Sequence, residues 1–427
     1  MSRINPARAT LLALCLIVIS LAGCSTNPVT GERELRLISG EEERSIGEQQ
    51  YQPTLQSQGG EYTIDEELSE YVSNIGQKLA AQSDRPDLPY EFTVLNNGVP
   101  NAWALPGGKI AINRGLLMEL ENEAQLAAVL SHEIVHAAAG HSAQRMQQGM
   151  LLNAGMAGLG LAVADNDYAQ MLIGGAALGA QLTMAKYGRG HELESDRYGM
   201  EYMAEAGYDP QEAVELQRIF VRLSEGQDSD FISGLFASHP PSMARVEANE
   251  KTARELGEDG RIGAETYQEK TAYLRKIQPA YDLEQQALAL AKQEQYSQAL
   301  AKINQALEIV PDEPSFNALR GQLLKATGKP DAAIASLNKA VNLYPEMFSF
   351  RLQRGLIHKE MGHLNEARED LKASAERVPT SLAFLGLGEI AQTQGRPDAA
   401  REYFKVAASG GGRFSEQAQA RLNQLNQ

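Results

Sequence analysis

Residues 129–142 read VLSHEIVHAAAGHS, and three of the chain's seven histidines fall inside them. His132 and His136 are four residues apart, so on a helix they stand ~40° apart around the axis and ~6 Å apart along it. Both imidazoles then reach one ion, and Glu133, next to His132, contacts water on that ion. This is the H-E-x-x-H arrangement of a zinc site. The neighbours Ala127, Val129, Leu130, Ile134 and Val135 are apolar, so two imidazoles and a carboxylate among them need partners, which a metal supplies. The bland alternative is a buried helix that happens to carry histidines.

A third ligand is required. A metzincin carries a histidine six residues after the second one and a glycine three residues after it; here those places hold Ser142 and Ala139. His141, five residues on, points ~140° away from His136 on a continuing helix, which gives it a structural or orienting role. Downstream, HELESDRYG (191–199) offers Glu192 and Asp196 on one helical face. That spacing suits a zinc ligand and a carboxylate that orients a ligating histidine through its second nitrogen. Glu194 points ~160° away from Glu192. Without the upstream motif the segment would read as a solvated charged face.

The rest of the chain sets the context. With 427 residues it has room for two or three domains. A formal charge of −16 excludes nucleic acid as a partner, because phosphate binding needs clustered Lys and Arg. Residues 1–23 carry Arg3 and Arg8 ahead of the short apolar run LLALCLIVISLAG, as in a secretory signal. The ending LAGC resembles a bacterial lipobox, with Cys24 as the lipidated residue and membrane anchor; the alternative is a plain signal cut near the same place. Ser25 in the next position, by resemblance to bacterial lipoproteins, suggests outer-membrane sorting. The only other cysteine, Cys15, leaves with the signal, so the mature chain has no disulfide.

Residues 24–60 read as a tether and an acidic helix, with Ser39 and Glu42 as a capping box. Leu68, Val72, Ile75 and Leu79 recur at helical spacing. PYEFTVLNN reads as a strand, and NAWALPGGKIAIN as two strands joined at Pro106-Gly107-Gly108. The two Gly-rich apolar runs in 149–185 are each shorter than the ~18–20 residues that a membrane span needs; they read as buried helices over the site, or as a lid. Residues 263–279 read as a linker.

From about residue 280 the chain repeats itself. Ala299, Ala333, Ala367 and Ala400 recur at 34, 34 and 33 residues, Pro311, Pro345 and Pro379 at 34 and 34. Ala287, Gly321, Gly355 and Gly388 precede each Ala by a fixed step, and Gly328, Gly362 and Gly395 mark the turn inside each pair. A 34-residue period of small, small and Pro positions is the tetratricopeptide signature: small residues let the paired helices approach, and Pro ends the second. Four repeats and a capping helix fill 280–427, an α-solenoid. The fold class expected is mostly α: an α+β zincin-like metallopeptidase domain over 61–262 with a small β-hairpin sheet, then the repeats.

Taken together, SHEIVHAAAGH, HELESDRYG, SHPPSMAR (238–245) and NAWALPGG resemble the gluzincin metallopeptidases of the prenyl-protease, HtpX and BepA-like family. The pairing with a signal and a repeat array is most similar to the periplasmic BepA-like members. The resemblance implies His132, His136 and Glu192 as ligands of one Zn²⁺, Glu133 as general base, and Asp196 as the carboxylate behind a ligand. It implies that His239, on the His-Pro loop, either polarises the developing oxyanion or latches the open coordination position, with Arg245 anchoring that loop. It implies an edge strand at Asn101, Ala102, Trp103 and Ala104 that pairs with extended substrate; Trp103 itself reads equally as core or as pocket wall. The function implied is a zinc endopeptidase of the bacterial periplasm, anchored to the outer membrane, acting on unfolded or misassembled envelope proteins. The repeats would then dock substrate or the outer-membrane protein assembly machinery. The rival is a chaperone or scaffold whose peptidase site stays latched.

Overall fold

The computed structural model describes residues 24–148, 187–225, 234–257 and 259–425. The expected signal (1–23) and the apolar stretch 149–185 lie outside the described residues. Among the described residues no helix is long and apolar enough to cross a membrane.

The first described residues are ordered rather than a tether: β1 (Cys24–Thr26) and β2 (Arg33–Leu35) form an antiparallel hairpin with Cys24 opposite Leu35. Helix α1 (Gly40–Ser57) starts at the expected capping box, in which the Ser39 hydroxyl accepts from Glu42 N and the Glu42 carboxylate accepts from Ser39 N. Helix α2 (Glu66–Ala80) buries Leu68, Val72, Ile75 and Leu79 along one face, as their spacing requires.

Among the described residues the sheet holds three strands in the order β3-β5-β4: β3 (Glu91–Leu95), β4 (Ala102–Leu105) and β5 (Lys109–Asn113). β4 and β5 are the expected hairpin, and β3 lies parallel to β5 on its other side. Among the described residues β4 is therefore an edge strand. Asn113 N donates to Asn101 O, so residues 101, 103 and 105 bond to β5. The main-chain groups of Ala102 and Ala104 then face away from the sheet. Trp103 belongs to the core: its ring packs among Tyr51, Leu55 and Leu95, and its indole N–H donates to Gln58 Oε1 at 3.1 Å.

The short α3 (Arg114–Glu119) follows β5, and below the sheet runs α4 (Glu123–Ala138), started by Asn122, whose side chain accepts from Gln125 N. It is buried on every side but at His132. α5 (Arg189–Glu205) packs against it, and Gly199 sets the distance: a Cβ there would stand 3.1 Å from His132 N. α6 (Gln211–Glu225), the short α7 (Leu235–Ser238) and α8 (Met243–Leu256) close the domain.

Residues 263–279, read from sequence as a linker, are helical instead: α9 (Ala264–Lys270) and α10 (Ala272–Lys292). The Tyr267 hydroxyl donates to Leu117 O at 2.6 Å, and Leu274 and Ile277 are buried. One core therefore runs unbroken from the sheet domain into the first repeat. Its apolar residues fall at helical spacing, and that periodicity decides the outcome.

The repeats pair α10 with α11 (Tyr296–Ile309), α12 (Pro314–Ala326) with α13 (Pro330–Leu343), α14 (Phe348–Glu360) with α15 (Leu364–Arg377), and α16 (Ser381–Thr393) with α17 (Pro397–Ala408). α18 (Gly412–Leu425) caps the array. All four periodic alanines are fully buried. The turn glycines have positive φ, and in the first repeat the same place is held by Glu294, at φ 61°.

The joint between the units is polar at its centre. The Arg114 guanidinium lies 3.3 Å over the Tyr281 ring, and Glu313 accepts from Asn96 and Tyr281. Nearby Glu284 accepts from the Ser315 hydroxyl at 3.2 Å. Burial pushes the Glu284 carboxyl up to about 7, against the pull of Arg114 and with a further push from Glu313. A carboxyl raised in the folded state holds its proton longer than in the unfolded chain. Its contribution is therefore intact below the ordinary carboxylate range and lost as pH rises to about 7. Glu284→Gln is expected to gain about 2 kcal/mol over wild type at pH 8 and little at pH 5, measured by chemical denaturation at both pH values.

Candidate active site

Four side chains, the buried His136, Glu192 and His239 and the partly buried His132, each bring one ligand-type atom within 4.8 Å of the other three. His132 and His136 come from one face of α4 and Glu192 from the first turn of α5. His239 comes from the loop after α7, its N–H donating to Leu235 O.

His132 Nε2 stands 3.1 Å from His136 Nε2, 3.3 Å from His239 Nδ1 and 3.7 Å from Glu192 Oε2. Glu192 Oε1 stands 3.5 Å from His136 Nε2 and 3.1 Å from His239 Nδ1. A tetrahedral zinc with bonds of about 2.0–2.1 Å has ligand–ligand edges of about 3.3 Å. The donor set, three imidazole nitrogens and a carboxylate, is also one that zinc takes. The residues fit the ion.

The atoms behind the ligands fix their lone pairs. His132 Nδ1 donates to Asp196 Oδ1 at 2.9 Å, leaving Nε2 to face the centre. His136 Nδ1 lies 2.9 Å from His141 Nδ1, and His141 Nε2 lies 3.2 Å from Glu194 Oε1. With its Nε2 turned to the centre, His136 donates from Nδ1 to His141, which in turn donates from Nε2 to Glu194. The helix does not continue to His141: α4 ends at Ala138, Gly140 turns at φ 73°, and 141–148 start a new helical direction. That turn brings His141 back onto His136. Tyr187 stacks on the His136 ring with centroids 3.8 Å apart, and its N–H donates to Ser238 O.

Arg245 does more than anchor its loop. Nε and Nη2 form a fork on Asp196 at 2.7 and 2.6 Å, and Nη1 lies 2.8 Å from Glu192 Oε2. Burial alone would raise the Asp196 and Glu192 carboxyls. For Asp196 the Arg245 guanidinium and His132 reverse that; for Glu192, His239, His136 and Arg245 do. Both are held below the usual carboxylate range. Burial drives His136 well below its ordinary value, so its imidazole is neutral. For His239 burial acts downward, but Glu192 and Glu133 outweigh it, and its value rises.

Glu133 stands apart from the four. Its Oε1 is 3.5 Å from His239 Nε2, and its buried Oε2 has no hydrogen-bond partner among the described residues. The structure thus brings together His132, Glu133, His136, Glu192, Asp196, His239 and Arg245. Asn101, Ala102, Trp103 and Ala104 are buried; the Ser142 hydroxyl lies 3.4 Å from Ala104 O. The sequence reading gave no role to Glu194 or Tyr187 and too small a role to Arg245.

The sequence profile of peptidase family M48 matches residues 66–253, and that of the tetratricopeptide repeat matches 284–347 and 352–421. Residues 66–253 are a peptidase family M48 domain. The chain is 32% identical over 149 residues to the beta-barrel assembly-enhancing protease of Yersinia pestis, covering 34% of this chain and 31% of that protein. It is 30% identical over 221 residues to the mitochondrial metalloendopeptidase OMA1 of Schizosaccharomyces pombe, covering 51% and 63%. To the metalloprotease YcaL of Escherichia coli K12 it is 29% identical over 163 residues, covering 37% and 60%. The chain thus spans about a third of the length of the beta-barrel assembly-enhancing proteases it matches. In the M48 domain the α4 histidines, the α5 carboxylates and the His-Pro loop form one continuous cluster.

Proposed function

We propose that the chain is a zinc-dependent endopeptidase of the bacterial cell envelope whose resting site is latched by His239. The observation that carries this is the near-tetrahedral convergence of His132, His136, Glu192 and His239, with Glu133 beside them. Zinc held there supplies a Lewis acid and a water of lowered pKa. The chain's own residues do the rest. Asp196 and His141 hold the two α4 imidazoles with Nε2 inward. Glu133 accepts a proton from the attacking water and returns it to the leaving amine. His239 Nδ1 takes the corner a substrate carbonyl would need, so the loop after α7 must move before turnover.

Extended, unfolded polypeptide is the substrate class this reading favours. Ala102 on the edge strand turns its N–H and C=O away from β5, which suits strand addition, with Asn101, Trp103 and Ala104 setting the register. The name borne by the relatives, beta-barrel assembly-enhancing protease, supports misassembled outer-membrane proteins as the natural clients. The repeats would dock those clients or their assembly machinery, and Cys24 would carry the lipid that tethers the chain to the outer membrane in the periplasm. The scaffold alternative is favoured by one feature, the histidine in the fourth corner.

Both readings meet one experiment. The mature chain is loaded with zinc, its metal content is measured, and cleavage of an unfolded outer-membrane protein is followed for wild type and His239→Ala. A latch predicts about one zinc per chain in both, and kcat/KM at least about tenfold higher in the variant. Loss of cleavage with zinc retained would instead assign His239 to oxyanion stabilisation. No cleavage by either protein would leave the scaffold reading.

A further inference from the structure

The first hairpin leaves no spacer after Cys24. β1 begins at Cys24 itself, and Cys24 pairs with Leu35, Ser25 with Glu34 and Thr26 with Arg33. Asn27 closes the turn: its side chain accepts from Val29 N and its C=O from Gly31 N. The two faces differ. Ser25 and Glu34 are half-buried, while Thr26, Arg33 and Leu35 are exposed, following the alternation of a strand. Leu35 is 42% exposed and Leu37 43%. The inner face is fixed to the segment that backs the site. Gln144 Nε2 donates to Glu34 Oε2 at 2.8 Å, and the Leu37 N–H donates to Gln147 Oε1. That segment, 141–148, opens with His141, which holds His136.

We propose that the outer face of this hairpin, with Arg33, Leu35 and Leu37, lies on the surface of the lipid bilayer and holds the protein there in one fixed orientation. The inference rests on the reading of Cys24 as the lipidated residue and adds the surface on which the anchored protein rests. Reach decides it. A flexible spacer of n residues lets a domain stand off by roughly 5–6 Å × √n, and here no residue separates Cys24 from the hairpin. Cα atoms paired across antiparallel strands stand about 4.5–5.5 Å apart, so lipid on Cys24 brings Leu35 to headgroup depth. Leu35 and Leu37 then enter the interface beside the acyl chains, where their burial is favourable. Arg33 meets lipid phosphate with its stem laid on apolar surface. The chain's net charge of −16 opposes this weakly, since salt screens charges more than about 10 Å from the headgroups. The segment 141–148 then lies between the hairpin on the bilayer and His136, which sets the peptidase site close to polypeptide emerging at the membrane surface.

The test uses the mature, lipidated full chain in vesicles of phosphatidylethanolamine and phosphatidylglycerol, with and without bromine on the acyl chains. Trp103, the only native tryptophan, is buried and gives a constant background. Leu35→Trp and Leu37→Trp are expected to lose most of their added emission to the brominated lipid. Ile309→Trp, at a position 44% exposed on α11, should keep its emission. Unquenched indoles at positions 35 and 37 overturn the proposal: emission shifted to the blue would mean that a second copy of the chain covers the face, and unshifted emission that the hairpin stands in water. Equal quenching at position 309 overturns the fixed orientation. Mass spectrometry of the mature chain keeps the two readings apart. If Cys24 carries no lipid, the anchor reading fails. Its thiol, the only one after the signal, is then coupled to a maleimide lipid, and the same three variants decide the hairpin face by the same outcomes.

Discussion

Glu133→Gln is expected to slow cleavage of an unfolded polypeptide by roughly 10²–10⁴-fold, the usual worth of a general base, while zinc stays bound at about one per chain. The substitution keeps shape and volume and removes only the charge and the proton-accepting capacity. The four ligand-type atoms converge without Glu133. The nearest charged partner of Glu133 in the cluster is His239, 3.5 Å away. The metal should therefore not notice the change, whereas the proton path loses the carboxylate that accepts the proton. Metal analysis by mass spectrometry and a fluorescence cleavage assay on one preparation separate the two effects. Cleavage within a few-fold of wild type would remove Glu133 from the mechanism; loss of zinc would move it into the ligand set.

Much of this site could be read from the chain because its parts are local. His132, Glu133 and His136 occupy one helical turn, and Glu192 and Asp196 another, so spacing alone puts each group on one face. The repeats were legible for a related reason: a 34-residue period survives whatever surrounds it. What connects the pieces was not local. Arg245 follows Asp196 by 49 residues, and nothing in SMAR says that a guanidinium will span two carboxylates of α5. His141 looked misplaced because the reading continued the helix through Gly140, where the chain turns. The parallel pairing of β3 with β5 depends on which edge the strand meets, and strand propensity is silent on that. In 263–279, read as a linker, Tyr267, Leu274 and Ile277 fall at helical spacing; burial of those three shows that the periodicity was the better guide.

Arg245→Met is expected to destabilise the metal-free protein by about 3–5 kcal/mol at pH 7, the cost of stripping one partner from a buried ion pair. The guanidinium is only 5% exposed, and its three nitrogens serve both oxygens of Asp196 and one of Glu192. Met fills a similar volume and supplies no donor, so two buried carboxylates lose their cation. The pH dependence carries the sign. In wild type, Asp196 and Glu192 are held below their ordinary values, so their contribution is present above the usual carboxylate range and lost as pH falls through it. In the variant Asp196 keeps only His132 against burial and Glu192 only His239 and His136, so both carboxyls shift upward from their wild-type position and the penalty shrinks as acid protonates them. Wild type minus variant should therefore narrow between pH 7 and pH 5 in chemical denaturation. Zinc affinity should fall about 10–100-fold, because Asp196 no longer holds His132 in one orientation. Arg245→Lys, which keeps a charge but not the fork, should fall between the two. A variant that matches wild type in both denaturation midpoint and zinc affinity would mean that the guanidinium bridges nothing of consequence. The two halves of the site, the α4 imidazoles and the α5 carboxylates, would then have to be aligned by helix packing at Gly199 alone.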